Sequence, residues 1–244
     1  MPRLELKPCS FHSRDPLLEY LQQHTDNGIR VAKVYLIANV RSRHTESSTS
    51  VACIHCDLRG RLEPHTPYPT YMTLAKRCQP IELILADVDG VLTDGSIIFD
   101  NEGIETKRFH IRDGLGIRLW QKAGGKFGIV TGRSSHIVNV RASELGIDIV
   151  RQGTEKKLAA VREILAEQGL SAEQVCFVGD DLPDLAAVRF AGLGVAVADA
   201  CGELREAAAY VSSLAGGHGA VRETIEMILK AQRRWDELIQ IHDA

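Results

Sequence analysis

From Ile81 onward the chain repeats one unit: a short apolar run, a break, and a stretch with helical spacing. Ile81–Ala86 (IELILA) is apolar at nearly every position and stops at Asp87, the pattern of a strand covered on both faces. The same reading places strands at 126–130, 147–150, 174–178 and 194–197. It places helices at 113–123, 134–145, 155–168 and 182–191, and a last helix from about Ala220. Glycines stand where helices should stop, at Gly124-Gly125 and Gly146. The inward faces are read as Leu115, Leu119 and Trp120, then Leu158, Val161 and Leu165, then Val221, Ile225, Ile228 and Leu229. Strands alternating with such helices bury their surfaces as a parallel sheet with helices on both faces, an α/β, Rossmann-like fold. Ser96–Phe99 and Glu105–Phe109, around Asp100-Asn101-Glu102-Gly103, read as a β-hairpin inserted after the first strand. Ligands bind such sheets beyond the carboxyl ends of the strands, so the strand ends are where chemistry is expected.

The first strand runs into Asp87-Val88-Asp89-Gly90. If the extended conformation continues, Asp87 and Asp89 point the same way and share a pocket. Carboxylates held that close need a proton or a cation between them. A turn would also use these residues, but 174–178 ends in a second acidic cluster, Gly179-Asp180-Asp181-Leu182-Pro183-Asp184. Asp181 also suits a helix N-cap; Asp180, directly after the glycine, is harder to account for that way. Hard oxygen ligands from two strand ends suit Mg²⁺. The strand at 126–130 ends in Thr131-Gly132-Arg133-Ser134-Ser135, a hydroxyl and free N–H groups at a helix start, which cradle an anion. Lys156 and Lys157 both open the next helix, and the residues alone do not choose between them. Acids, hydroxyl, lysine and acids, in that order at strand ends, are the parts of a phosphoryl-transfer site.

In this arrangement Asp87-Val88-Asp89-Gly90-Val91-Leu92-Thr93 resembles the first motif of the haloacid dehalogenase-like phosphohydrolases, and Thr131, a following Lys and Gly179-Asp180-Asp181-xx-Asp184 resemble their second, third and fourth. Within that family the likeness is to the branch acting on 3-deoxy-D-manno-octulosonate 8-phosphate, a lipopolysaccharide precursor. It is carried by Leu92-Thr93-Asp94-Gly95, Phe109…Arg112-Asp113-Gly114, Gln152-Gly153…Lys157-Leu158 and Gly216-Gly217-His218-Gly219. His218 departs from the pattern, which more often has Arg. The resemblance implies a capless fold and an Mg²⁺-dependent phosphatase. Asp87 is then the nucleophile, Asp89 the acid–base group, and Thr131 and Lys157 the phosphoryl holders. Asp87, Asp180 and the backbone carbonyl of Asp89 are the metal ligands, with Asp181 and Asp184 in support. Thr93, Gly132, Arg133 and Arg141 are the substrate contacts. It further implies a homotetramer whose hairpins pack together. A nine-carbon nonulosonate or N-acylneuraminate 9-phosphate is the alternative substrate; His110, His136 and His218 are not needed. Two other classes fit less well. A receiver domain has its acidic pair first and its phosphoacceptor later, and a non-catalytic assembly domain, like those at the C-terminus of some acylneuraminate cytidylyltransferases, does not need an intact Asp87/Asp89/Lys157/Asp180 set.

Residues 1–80 are a different kind of sequence. They hold seven of eight Pro but two of 21 Gly, and a charge of +4 against −7 for the remainder. Beyond one strand-like run, Ile29–Val40, they are Ser/Thr- and Pro-rich, too polar to offset ordering entropy. Cys53-Ile-His-Cys56, with His44 and His65 nearby, lacks the second Cys pair of a zinc site and is not read as one. Residues 1–71 are therefore expected to be a disordered extension or to lie upstream of a true start near Met72, with the phosphatase domain at 72–244. A net charge of −3 gives no polyanion-binding field, so no nucleic-acid partner is expected. No apolar run is long enough for a membrane span, no signal pattern opens the chain, and six Cys do not make a disulfide framework; the expectation is a cytoplasmic protein.

Overall fold

The computed structural model describes residues 73–240 and two short strands before them. The chain divides into two units, 1–71 and 72–244. Of the first, the described part is an antiparallel pair, β1 (His55–Cys56) with β2 (Leu62–Glu63). The strand-like run 29–40 and any metal site on Cys53-Ile-His-Cys56 lie outside the described residues.

The second unit opens with α1 (Leu74–Cys78), capped by the Thr73 hydroxyl, and β3 (Leu83–Ala86). The hairpin β4 (Ile98–Phe99) and β5 (Glu105–Thr106) follows, its turn held by Asp100 Oδ1, which accepts from the N–H groups of Glu102 (2.9 Å) and Ile104 (2.8 Å). Then come α2 (Ile111–Lys122), β6 (Lys126–Val130), α3 (His136–Leu145), β7 (Ile149–Arg151) and α4 (Lys157–Gln168). The remainder is β8 (Val175–Gly179), α5 (Leu185–Phe190), β9 (Leu193–Ala196), α6 (Gly202–Ala207), β10 (Tyr210–Val211), α7 (Ala220–Ala231) and α8 (Trp235–Gln240). No described helix is long and apolar enough to cross a membrane.

The six long-range strands form one parallel sheet in the order β10-β9-β8-β3-β6-β7. The chain winds outward from β3 through β6 to β7, returns to the far side of β3 as β8, and winds out again. The winding reverses between β3 and β8, which opens a crevice beyond their carboxyl ends. Asp87 follows β3 and Asp180 follows β8, so the two acidic clusters flank that crevice. Both strands are buried throughout, because helices cover the sheet on each face: α1, α2, α3 and α7 touch one another in one group, α4, α5 and α6 in the other.

Three sequence expectations shift. The inward face of α2 is not built on Leu115, which is exposed; Gly114 and Gly116 are buried instead. A β-carbon on Gly116 would lie 3.2 Å from the Arg222 Cα, so α2 and α7 meet through a glycine, with no room for a leucine. On α4, Lys157, Ala160, Val161, Ile164 and Leu165 are buried and Leu158 only half-buried. The helix expected at 182–191 is a 3-10 turn, Leu182–Asp184, leading into α5, with Pro183 in the turn. β10, α1, α6 and α8 were not anticipated; each is six residues or fewer, too short for periodicity to register.

Candidate active site

Asp87 continues the β3 ladder by donating its N–H to the Val178 carbonyl (3.1 Å), then turns its carboxylate into the crevice, 7% exposed. Oδ1 accepts from the Val88 N–H (2.7 Å) and Oδ2 pairs with Lys157 Nζ (2.6 Å). Lys157 is the first residue of α4 and is buried; Lys156, one position earlier, is exposed. The helix start separates two adjacent lysines that the sequence leaves equivalent. The same ammonium reaches Asp184 Oδ1 (2.6 Å), and the fully buried Asp184 uses Oδ2 to accept from the N–H groups of Asp180 (3.1 Å) and Asp181 (3.4 Å). Asp184 thus holds both the lysine and the backbone that presents Asp180. Asp181 is exposed and caps the 3-10 turn through Leu182 N–H (2.8 Å).

Carboxylate oxygens of Asp87, Asp180 and Asp184 lie within 4.8 Å of one another, the one such cluster among the described residues. Three acids face one ammonium. Burial pushes Asp87 above the ordinary carboxylate range, with Lys157 opposing and Asp184 reinforcing. Burial, then Asp184 and Asp87, push Asp180 up to about 7. Burial works against the charge on Lys157, but Asp87 and Asp184 outweigh it and raise its pKa. Lys157 bonds two of the three acids, so negative charge remains in excess beside Asp180. Hard oxygen donors with that excess fit Mg²⁺.

The metal-free site makes a linkage prediction. Asp180 in the folded state holds a proton that the unfolded chain has already lost between roughly pH 4 and 7, so metal-free stability falls as pH rises through that window. The same proton competes with a cation. At ~100-fold excess over Kd, Mg²⁺ adds about 2.7 kcal/mol, roughly 5–10 °C in a domain this size. That gain should be present at pH 8 and much smaller at pH 5.5 in thermal melts; equal gains would contradict the site.

Asp89 does not continue the strand. The Val88 carbonyl accepts from the N–H groups of Val91, Leu92 and Thr93 (2.9–3.2 Å), so the chain turns tightly after Val88. The extended conformation expected to carry Asp89 alongside Asp87 therefore stops at Val88. The Asp89 carboxylate instead bonds Lys107 and lies 3.6 Å from Arg133 Nη1. Thr93 is buried and donates its hydroxyl to the Val88 carbonyl (3.2 Å), which ties this turn.

Glycines make the turn's close approaches possible. Gly90 has φ +89°, and a β-carbon there would lie 2.1 Å from Asp180 Oδ2. A β-carbon on Gly216 would lie 1.8 Å from the Gly90 oxygen, and Gly217 donates its N–H to the Val91 carbonyl (2.9 Å). This accounts for Gly-Gly in the late motif: the loop is pressed onto the turn that carries Asp89. His218 is exposed, its Nδ1 2.7 Å from the Gly216 carbonyl. The first turn of α7, which follows, lacks a capping side chain on Gly219; Asp113 supplies a carboxylate from α2 and accepts from Arg222 N–H (2.7 Å).

Thr131 is buried at the end of β6, with Gly132 and Arg133 exposed beside it. Arg133 also pairs with Glu105 (2.7 Å) on the hairpin. Arg141 stands apart: its guanidinium lies over the Phe109 ring and pairs with Glu144 (2.7 Å). The structure thus gathers Asp87, Lys157, Asp180 and Asp184 in one cluster and Asp89 with Arg133 in a second. Lys107 and Glu105 belong to the second and were missed. Alternation along the hairpin strand put them on one face, but a charged hairpin face ordinarily reads as solvated.

Comparison with known proteins identifies the family. A family profile described as haloacid dehalogenase-like hydrolase matches residues 134–223. The chain is 42% identical over 169 residues to the 3-deoxy-D-manno-octulosonate 8-phosphate phosphatase of Escherichia coli K12, covering 69% of this chain and 90% of that protein. It is 43% identical over 178 residues to the Salmonella typhimurium protein of the same name, covering 73% and 90%. The crystal structure of the Moraxella catarrhalis phosphatase of this name, in complex with magnesium, phosphate and KDO, superposes with a TM-score of 0.68 at 43% identity, covering 69% of this chain and 97% of that one.

Proposed function

The chain belongs to the haloacid dehalogenase-like hydrolases, among the 3-deoxy-D-manno-octulosonate 8-phosphate phosphatases, and from that membership we propose how its residues divide the reaction. It is an Mg²⁺-dependent phosphatase that converts 3-deoxy-D-manno-octulosonate 8-phosphate to the free sugar acid and phosphate. The observation that carries the mechanism is the buried Asp87–Lys157–Asp184 chain facing Asp180 across the crevice.

Asp87 attacks phosphorus and the bond to the sugar oxygen breaks, leaving an aspartyl-phosphate. Asp89 gives its proton to the departing alkoxide, then takes one from the water that releases phosphate and restores Asp87. Lys157 holds phosphoryl oxygen against a carboxylate of like charge, with Thr131 and the Gly132 N–H beside it. Asp87, Asp180 and the Asp89 carbonyl would hold Mg²⁺, which would supply positive charge beside the phosphoryl group. Asp184 aims Lys157 and the Asp180 backbone; Asp181 holds the following turn; Thr93 shapes the turn that carries Asp89. Arg133 and Arg141 are the groups for the sugar acid's carboxylate, a role that suits a guanidinium fork.

Phosphate release with Mg²⁺ from eight- and nine-carbon ulosonate phosphates tests the substrate: kcat/KM should favour the 8-phosphate at least about tenfold, ~1.4 kcal/mol in transition-state binding. A preference for the nine-carbon 9-phosphate would overturn it. The proposal extends to the whole molecule. The catalytic unit is 72–244, supported by the boundary at Tyr71/Met72 and by relatives matched over 90% of their length but 69% of this chain. A chain starting at Met72 should keep the full chain's kcat/KM. A homotetramer is supported by exposed Ile97, Ile98, Phe99 and Ile104 on the hairpin; sedimentation should give four times 26.8 kDa. Cytoplasmic location is supported by Cys78, Cys176 and Cys201, all free thiols.

A further inference from the structure

Nothing in the steps above uses Lys107, yet it is among the most enclosed charges in the protein. It lies one residue beyond β5, on a hairpin whose tip is exposed, and its side chain is 1% exposed. A lysine on a surface hairpin ordinarily keeps its ammonium in water. Removing it from water costs several kcal/mol unless charged partners replace the solvent. Here they do. Lys107 Nζ bonds Asp89 Oδ1 and lies 3.5 Å from Glu105 Oε1. Glu105 is itself fixed, with Arg133 Nη2 2.7 Å from Oε1 and the Ser135 hydroxyl donating to Oε2 (2.8 Å). Arg133 Nη1 then closes the ring at 3.6 Å from Asp89 Oδ2. The hairpin is thereby locked onto the one carboxylate that must move protons.

We propose that Lys107 is a positioning residue for Asp89: it holds the carboxylate in one rotamer through Oδ1 and leaves Oδ2 for the proton, making the hairpin part of the catalytic apparatus. The inference rests on the reading of Asp89 as the acid–base group. Proton transfer requires heavy atoms within about 3.2 Å, and a displacement of about 1 Å costs on the order of 100-fold in rate. Lys107 does not touch the substrate and acts only through Asp89. Its loss should therefore matter where a leaving group needs a proton, and much less where it does not.

The test compares kcat/KM for 3-deoxy-D-manno-octulosonate 8-phosphate, whose alkoxide must be protonated, with 4-nitrophenyl phosphate, whose phenolate leaves unaided. The full chain with Mg²⁺ is used. Because kcat/KM covers steps only as far as leaving-group departure, hydrolysis of the aspartyl-phosphate does not enter the ratio. Asp89→Asn should lower the ratio of sugar to aryl kcat/KM by about 100-fold or more. Lys107→Met should lower it about tenfold, and Lys107→Arg, which keeps the charge, by less than about threefold. If Lys107→Met lowers both substrates equally while Asp89→Asn is selective, Lys107 is structural and the proposal is wrong. If Asp89→Asn leaves the ratio unchanged, the acid–base reading of Asp89 has failed instead. Should Lys107→Met not fold, Lys107→Gln is read in the same assay, and an unchanged ratio there overturns the proposal equally.

Discussion

Asp87→Asn should release no measurable phosphate from any substrate while remaining folded. The rate at stake is very large, since phosphate monoester hydrolysis is among the slowest uncatalysed reactions and enzymes accelerate it by up to ~10²¹. An amide is a poor nucleophile, so metal, Lys157 and proton donor would surround a phosphorus with nothing to attack it. A fall beyond about 10⁵ in kcat is expected. Loss of folding is not the cause. The substitution removes one of three crowded carboxylates and leaves Asp184 to pair with Lys157, so the melting temperature should move by only a few degrees. Turnover is measured with intact-mass control, because deamidation restores aspartate. Substantial metal-dependent turnover in verified Asn protein would place the nucleophile elsewhere.

Lys157→Met should damage stability and catalysis together. Lys157 is 3% exposed and bridges Asp87 and Asp184, themselves 7% and 0% exposed. Without it two buried carboxylates lose their shared cation, a change that typically costs 3–5 kcal/mol, or roughly 6–20 °C in a domain this size. The deficit should depend on pH with a definite sign. Burial already raises Asp87 with Lys157 opposing, and removing that opposition raises it further. A folded-state carboxyl raised above its unfolded value binds more protons in the native state. The variant therefore gains stability relative to wild type as pH falls toward 5 and loses it as pH rises toward 8. Catalysis should fall on the order of 10²–10³, the usual loss of one preorganised charge at a transition state. Melting curves across that pH range and steady-state kinetics measure the two effects. A pH-independent deficit would mean the lysine stabilises by packing rather than by charge.

Much of this site is legible before folding because it sits where strands end. The apolar run before Asp87 and the one before Gly179 name the strands, and the sheet's topology brings their ends together. What sequence leaves open is decided over distance. Lys156 and Lys157 differ only in which side of a helix start they occupy. Asp184 reads as a support residue, and its place at the centre of the cluster depends on a tight 3-10 turn between Asp181 and Asp184. Lys107 has the composition of a wet hairpin and becomes buried only when the hairpin closes on Asp89. Leu115 satisfies helical spacing, but helix contact at Gly116 displaces it from the core.

The pairing of β3 with β8 joins residues 83–86 to residues 175–178. Closing so long a segment carries a loop-closure cost that the local helices do not incur. The two acidic clusters meet only once this pairing forms, so an Mg²⁺ site built on Asp87 and Asp180 would require β8. Affinity for the ion would then be a property of the finished fold, and a chain holding every element only through β7 should be catalytically silent.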